Sequence, residues 1–158
     1  MLKAQLIQEY LAGPALARDA VAGMSPEQLC ARPIPGRWSA LEVICHLADV
    51  EMRYGEQAKR IAAEDEPHLG PGVPAAWVSR LDYQGRNIEI ELRLIELIRC
   101  QMAHLLCRLK PEDFQRRGID ATGQPMTLEM LLHRATAHIP HHTRFIQEKR
   151  LALKRAAP

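Results

Sequence analysis

The chain has 158 residues, of which 47% are hydrophobic and 25% are charged, and its formal net charge at pH 7 is +2. This length and composition predict one globular domain over residues 1–158 and argue against intrinsic disorder. No basic block is long enough to predict nucleic-acid binding. No apolar run approaches the roughly 20 residues of a membrane span, and the N-terminus lacks the apolar core of a signal peptide. We therefore expect a cytoplasmic protein without membrane association.

The four cysteines show no CxxC spacing and are expected to be free thiols in a reducing compartment. They are Cys30, Cys45, Cys100 and Cys107. Cys45 precedes His46 directly, and neighbours on a helix diverge by about 100°. These two side chains are therefore not expected to share one ligand cluster.

The first half of the chain predicts two long helices. The first covers residues 2–22 and includes Leu2 among its apolar positions, and Gly13-Pro14 should kink or interrupt it. Ser25 is the predicted N-cap of a short helix. The second long helix follows the capping box of Ser39 and Glu42 and extends to about residue 64. It is apolar on two sides, which indicates burial on both.

Three residues near the start of this second helix have two interpretations each. His46 is either an ordinary core or boundary histidine or a metal ligand. Trp38 either packs against the start of the helix or lines a site. Asp49 is either a surface carboxylate or a group that orients water beside His46.

The second half predicts two further long helices. One covers residues 82–109 and has an apolar stripe at helical spacing, formed by Ile88, Leu92, Ile95, Met102, Leu106 and Leu109. A turn-rich segment at residues 118–125 could hold a brief extended pair. Thr127 then caps the last helix without a capping box, because Met130 occupies N3.

The last helix carries two histidines, His138 and His142, four residues apart. This spacing corresponds to about 400° of rotation and about 6 Å of rise, so both imidazoles leave the same face. They lie on or beside an apolar stripe and should point inward, where a metal ion, hydrogen bonds or a wet cavity must satisfy their nitrogens. Pro140 removes the backbone hydrogen bond to Thr136 and predicts a bend between them.

Four long amphipathic helices predict an all-α fold, a four-helix bundle, in which cofactor sites lie between facing helices. If the second and fourth helices are neighbours, His46 can meet His138 and His142. Three neutral imidazoles would leave one tetrahedral position for water, as in catalytic zinc sites.

Two motifs, with their order and spacing, resemble the DinB/YfiT-like superfamily. They are Gly36-Arg-Trp-Ser-Ala-Leu-Glu-Val-Ile-Cys-His46-Leu-Ala-Asp49 and His138-Ile-Pro-His-His142. The segment 120–133 also looks like that family's lead into its last helix, and the resemblance covers about residues 5–150. It implies one divalent metal ion, Zn, Ni or Fe, bound by three histidines that map onto His46, His138 and His142. His141 is a rival to His142 beside Pro140, but it is offset by about 100° from the apolar stripe.

The resemblance also implies a function. Members with assigned activities include thiol-dependent transferases and an isomerase that use low-molecular-weight thiols such as bacillithiol or mycothiol. It therefore implies a metal-dependent thiol transferase or a hydrolase, working as a homodimer. The alternative is a non-catalytic metal-binding bundle in a stress response or an interaction. An open coordination position would favour the enzyme, and a fourth protein ligand would favour the structural role.

Overall fold

Four long α-helices dominate the structure, a computed structural model that describes residues 3–156. They are α1 (Lys3–Val21), α3 (Ala40–Ala63), α5 (Ile88–Arg108) and α6 (Leu128–Ala156). The short elements are α2 (Pro26–Cys30), α4 (Trp77–Arg80), β1 (Arg117–Ile119), β2 (Pro125–Thr127) and 3-10 turns at Tyr83–Gly85 and Pro111–Gln115. The predicted all-α four-helix bundle is confirmed. Residue Leu2 lies outside the described range, within which no helix has the length and apolarity to cross a membrane.

The helices follow an order around the bundle that differs from their order in the chain. The main packed pairs are α1 with α6, α6 with α3, α3 with α5, and α5 with α1. Helices α1 and α3 are therefore diagonal, as are α5 and α6, although each pair is consecutive among the long helices. This arrangement makes α3 and α6 direct neighbours and brings their histidines within reach of each other.

Capping residues determine where helices α3 and α6 begin. The Glu42 amide donates to Ser39 Oγ at 3.1 Å, and the Ser39 amide donates to the Glu42 carboxylate at 2.6 Å. The predicted capping box of α3 is therefore present. Thr127 Oγ1 accepts from the Met130 amide at 3.1 Å at the start of α6, also as predicted.

One predicted helix boundary is wrong. Helix α5 begins at Ile88 rather than at residue 82, because Asn87 caps it by accepting hydrogen bonds from the Glu89 and Ile90 amides. Of the two effects predicted for Gly13-Pro14, a kink or an interruption, the interruption does not occur, because α1 continues through the pair. The brief extended pair is present as the antiparallel strands β1 and β2, in which Gly118 pairs with Met126.

A polar layer lies between the two larger clusters of the apolar core. One cluster lies toward Leu6 of α1 and Leu106 of α5, and the other toward Ala17 of α1 and Ile95 of α5. Between them on α5 lies Arg99, whose side chain is fully buried.

The Arg99 guanidinium contacts the other three long helices. Its Nη2 donates to Glu51 of α3 at 2.5 Å and to the carbonyl of Ala135 in α6 at 2.7 Å. Its Nη1 donates to the carbonyl of Tyr10 in α1 at 2.6 Å. Removing one partner of such a buried pair leaves an uncompensated charge, which costs about 3–5 kcal/mol.

The Gly13-Pro14 pair in α1 accommodates this guanidinium. Proline has no N–H, so Pro14 cannot donate to the carbonyl four residues earlier, which is that of Tyr10. Arg99 supplies the missing donor. A Cβ on Gly13 would lie 2.1 Å from Arg99 Nη1 and 3.1 Å from Ile139 Cδ1, so only glycine leaves room for the guanidinium.

We predict that Gly13→Ala destabilises the fold by roughly 1–3 kcal/mol, because the added methyl displaces a buried side chain whose Nη1 and Nη2 hydrogen-bond the other three long helices. Gly55→Ala is the matched control, since its Cβ would lie 3.4 Å from Ile98 Cγ2, an ordinary contact. That control should be neutral or stabilising by up to about 1 kcal/mol, because alanine favours helix. Urea denaturation measures both, and equal stability of the two variants would contradict the role given to Gly13.

Candidate metal centre

Three histidines from two helices converge beside the polar layer. His46 lies on α3, and His138 and His142 lie one turn apart on α6. The ring centroids are 5.4 Å apart for His46 and His138, 4.9 Å for His46 and His142, and 4.5 Å for His138 and His142. One possible ligand atom from each residue lies within 4.8 Å of the others. The structure thus brings together the three histidines that the sequence singles out.

Burial keeps these imidazoles neutral. Burial and, to a smaller extent, the neighbouring imidazoles lower the pKa of His138 to about 3 and that of His142 to about 4. Burial also lowers the pKa of His46, against the opposing effect of Asp49. Neutral imidazole is the form that binds a metal ion, so all three are ready to act as ligands near pH 7.

The chemistry of the group fits a divalent ion. Nδ1 of His138 and Nδ1 of His142 are buried without a hydrogen-bond partner among the described residues. An unpartnered buried nitrogen is costly, and a metal ion or an ordered water would relieve that cost. Imidazole donors suit Zn, Ni, Cu and Fe, and therefore do not select one metal among these.

Two residues that could have joined the group lie apart from it. The Cys45 thiol donates to the Tyr83 carbonyl at 3.5 Å, and burial raises its pKa to about 12. His141 is exposed, with its Nδ1 3.1 Å from Arg144 Nη2. In the described range, the cluster around His46 contains three histidines and no cysteine or carboxylate.

The buried carboxylates of α3 are all engaged elsewhere. Glu42 accepts from Arg32 and from the Ser39 amide, and Glu51 accepts from Arg99. Asp49 is buried rather than on the surface, and it accepts from Arg86 at 3.1 Å and from the Tyr83 hydroxyl. These hydrogen bonds connect α3 to its surroundings, and all three carboxylates are engaged in them.

The site borders two cavities. The larger, of about 350 Å³, is lined by His46, His138, Arg53, Tyr54 and Arg134, with residues 69–73 forming one wall. Hydrogen bonds from Arg53 to the Pro71 carbonyl and from Gln57 to the Gly70 carbonyl hold that wall in place.

The second cavity, of about 230 Å³, reaches His142. Trp38 is part of its wall, and the Trp38 ring lies 5.2 Å from that of His46. Trp38 also packs against the apolar cluster that contains Ala40 and Val43, so the structure supports both interpretations of Trp38.

Arg99 and Lys149 are buried cations that no sequence motif marks. Their positions on the apolar stripes could nevertheless have identified them. Arg99 occupies a place in the apolar stripe of α5, four residues after Ile95, and Lys149 follows Ile146 by three residues in α6. A charged residue on an apolar stripe indicates a buried charge that needs a partner.

Comparisons with known proteins agree with this arrangement. A protein from Geobacillus thermodenitrificans, named "Putative metal-dependent hydrolase", is 33% identical over 153 residues, which cover 94% of this chain and 86% of that protein. The structure of YfiT from Bacillus subtilis, described as "a probable metal-dependent hydrolase with an unusual four-helix bundle topology", has a TM-score of 0.89 at 27% identity. The match covers 96% of this chain and 87% of the YfiT chain.

A second structure shares the fold at much lower sequence identity. It is a mycothiol-dependent maleylpyruvate isomerase with a TM-score of 0.69 and 10% identity, and the match covers 90% of this chain and 60% of that one. The DinB superfamily matches residues 9–146, nearly the whole described range. The chain therefore belongs to the DinB superfamily.

Proposed function

We propose that this protein is a divalent-metal-dependent enzyme that transfers a low-molecular-weight thiol to an electrophilic substrate. The observation that carries the proposal is a cluster of three neutral imidazoles that line two cavities, without a fourth protein ligand from the described residues. An accessible site with three protein ligands is typical of catalytic metal centres, whereas structural centres are closed by four.

His46, His138 and His142 are the proposed ligands of one Zn, Ni or Fe ion. When bound, such an ion would supply positive charge that favours the anionic form of a nucleophile. The imidazoles contribute no negative charge of their own, so they leave the full charge of the ion available to a ligand. Tyr54, whose ring meets His138 edge-on at 5.7 Å, helps to hold that imidazole and lines the cavity beside it.

The commitment of the three buried α3 carboxylates to hydrogen bonds favours a thiol over water as the nucleophile. Glu42, Asp49 and Glu51 each accept hydrogen bonds from an arginine. A thiol has a pKa of about 8.5 and ionises near neutral pH with little help, whereas water, with a pKa of about 15.7 when free, depends on the bound metal ion to bring its pKa to about 7. The mycothiol-dependent isomerase of the same fold supports this choice.

Hydrolysis is the second candidate, and the names of the relatives favour it. Hydrolysis requires that the larger cavity, which is lined by His46 and His138, admit an ester or amide together with water. A non-catalytic metal-binding bundle is the third candidate, and the two cavities that reach the histidines count against it.

We predict about one divalent ion per chain, lost in His46→Ala and strongly weakened in His142→Ala, since each change removes one of only three ligands. Elemental analysis of purified, metal-reconstituted protein measures the ratio. His141→Ala is the matched control and should keep the full metal content, because His141 is exposed and contacts Arg144. A full complement of metal in the double variant His138→Ala/His142→Ala would place the site elsewhere.

We predict that 2-mercaptoethanol binds the metal-loaded protein and not the metal-free protein, and that about one proton is released per thiol bound, because the thiolate is the binding form. Titration calorimetry in two buffers of different ionisation enthalpy counts the protons. Equal binding to metal-free protein, or none to the loaded form, would reject thiol transfer. Ester hydrolysis by the loaded protein without thiol would then support the hydrolase.

We also propose a homodimer formed through α1 and α5, which are neighbours in the bundle. On α5, Ile90 is 64% exposed and Leu97 is 56% exposed, and a separation of seven residues places them on one helix face. Leu11 and Leu16 are exposed on α1. An apolar face of this kind is typical of an interface.

We expect Ile90→Glu/Leu97→Glu to convert the dimer to a monomer, because it places two charges in the proposed interface. Light scattering across micromolar concentrations measures the mass. Met130→Glu is the control, since Met130 is an exposed residue of α6. A wild-type protein that is monomeric over the same range would reject the dimer.

A further inference from the structure

Lys149 is a buried ammonium without a counter-ion. It lies on α6, two turns after His142, and only 3% of its surface is exposed. Its Nζ donates to the Phe145 carbonyl at 3.0 Å, and no carboxylate of the described residues lies within ion-pair distance. An ammonium has three N–H donors, so two remain without a recorded acceptor. Burying a cation in this state is costly unless an anion joins it.

The surroundings of Lys149 form a small basic chamber. It is the cavity of about 230 Å³ that reaches His142, and its wall also contains Arg37, Trp38, Phe145 and Glu148. Arg37 is exposed and forms no ion pair within the described range. Glu148 is the one acidic residue in this wall, so the cations outnumber the carboxylates.

The groups around Lys149 compensate its charge only in part. Burial lowers the pKa of Lys149 and Arg37 lowers it further, whereas Glu148 and Glu42 oppose this effect. Glu42 is already occupied by Arg32 and by the Ser39 amide. It is therefore not a free counter-ion for Lys149.

We propose that Lys149 and Arg37 bind the anionic group, a carboxylate or a phosphate, of a small ligand whose other end reaches the three histidines. This inference deepens the proposed function and rests on it for the reactive end of the ligand. A volume of about 230 Å³ leaves room for several water molecules or for one small organic ligand. The chamber therefore suits an acidic group on a short chain, and Trp38 and Phe145 provide apolar walls for that chain. The ligand class is a small acid with its reacting atom a few bonds from the charge.

The anion site can be tested without metal. The chain has two tryptophans, so a Trp77→Phe background leaves Trp38 as the only indole, in the wall of the chamber. Propionate and inorganic phosphate are titrated into metal-free protein at constant ionic strength, with propionamide as the uncharged analogue of propionate. We expect a saturable change in Trp38 fluorescence with at least one anion and none with propionamide. Which anion binds more tightly distinguishes a carboxylate from a phosphate site.

Charge-removing variants test the residues themselves. Lys149→Met keeps most of the side-chain length and should raise the dissociation constant of the anion about tenfold, because a desolvated cation partner is lost. Lys149→Arg keeps the charge and should retain binding, which controls for folding. Lys154→Met removes an exposed lysine from the same helix and should have no effect. Unchanged anion binding in Lys149→Met, or an equal response to propionamide, would overturn the proposal.

A second pair of ligands separates this inference from the proposed function. On metal-loaded protein, 3-mercaptopropionate should bind more tightly than 2-mercaptoethanol, and Lys149→Met should abolish that difference while leaving 2-mercaptoethanol unchanged. If neither thiol binds but propionate or phosphate still binds metal-free protein, thiol transfer fails and the anion site stands. If both thiols bind equally and neither anion binds, the anion site fails and thiol transfer stands.

Discussion

The buried guanidinium of Arg99 is the contact on which the rest of the bundle depends. From α5 it reaches a carbonyl of α1, a carboxylate of α3 and a carbonyl of α6, so it holds all four long helices at one level. An apolar core alone specifies orientation weakly, because many packings bury similar area. Directed hydrogen bonds from one planar group allow few arrangements. The Gly13-Pro14 pair in α1 meets two needs of the Arg99 guanidinium. Gly13 leaves space for it, and Pro14 leaves the Tyr10 carbonyl free to accept its hydrogen bond.

The same level of the bundle holds the three histidines. Arg99 donates to the Ala135 carbonyl one turn before His138, and its carboxylate partner Glu51 follows His46 on α3. The elements that carry the proposed ligands are thus the ones that Arg99 binds together. Preorganised ligands need such support, because small errors in position reduce metal affinity. The apolar clusters on either side limit how far this polar layer can move.

Charge is distributed unevenly around the histidines. The acidic side chains of α3 are committed to arginines and a tyrosine, which secure the loops and the start of the helix. Lys149 and Arg37, in contrast, face a chamber that reaches His142 without a committed carboxylate. A site with neutral ligands, few available bases and spare cations is suited to reactants that bring their own negative charge. A thiolate with an acidic tail, or an acidic electrophile, has that character.

Much of the fold and of the candidate site follows from the sequence by itself. Helical periodicity indicated four long helices, Ser39 and Thr127 marked two of their starts, and the spacing of His138 and His142 placed both on one face. These are local properties, which a few neighbouring residues determine. Only the tertiary structure decided that α3 lies beside α6, that Pro14 leaves an acceptor for Arg99, and that Lys149 faces a cavity. Periodicity shows which face of a helix is buried but not what it is buried against, because the partner of a buried charge lies on another segment of the chain.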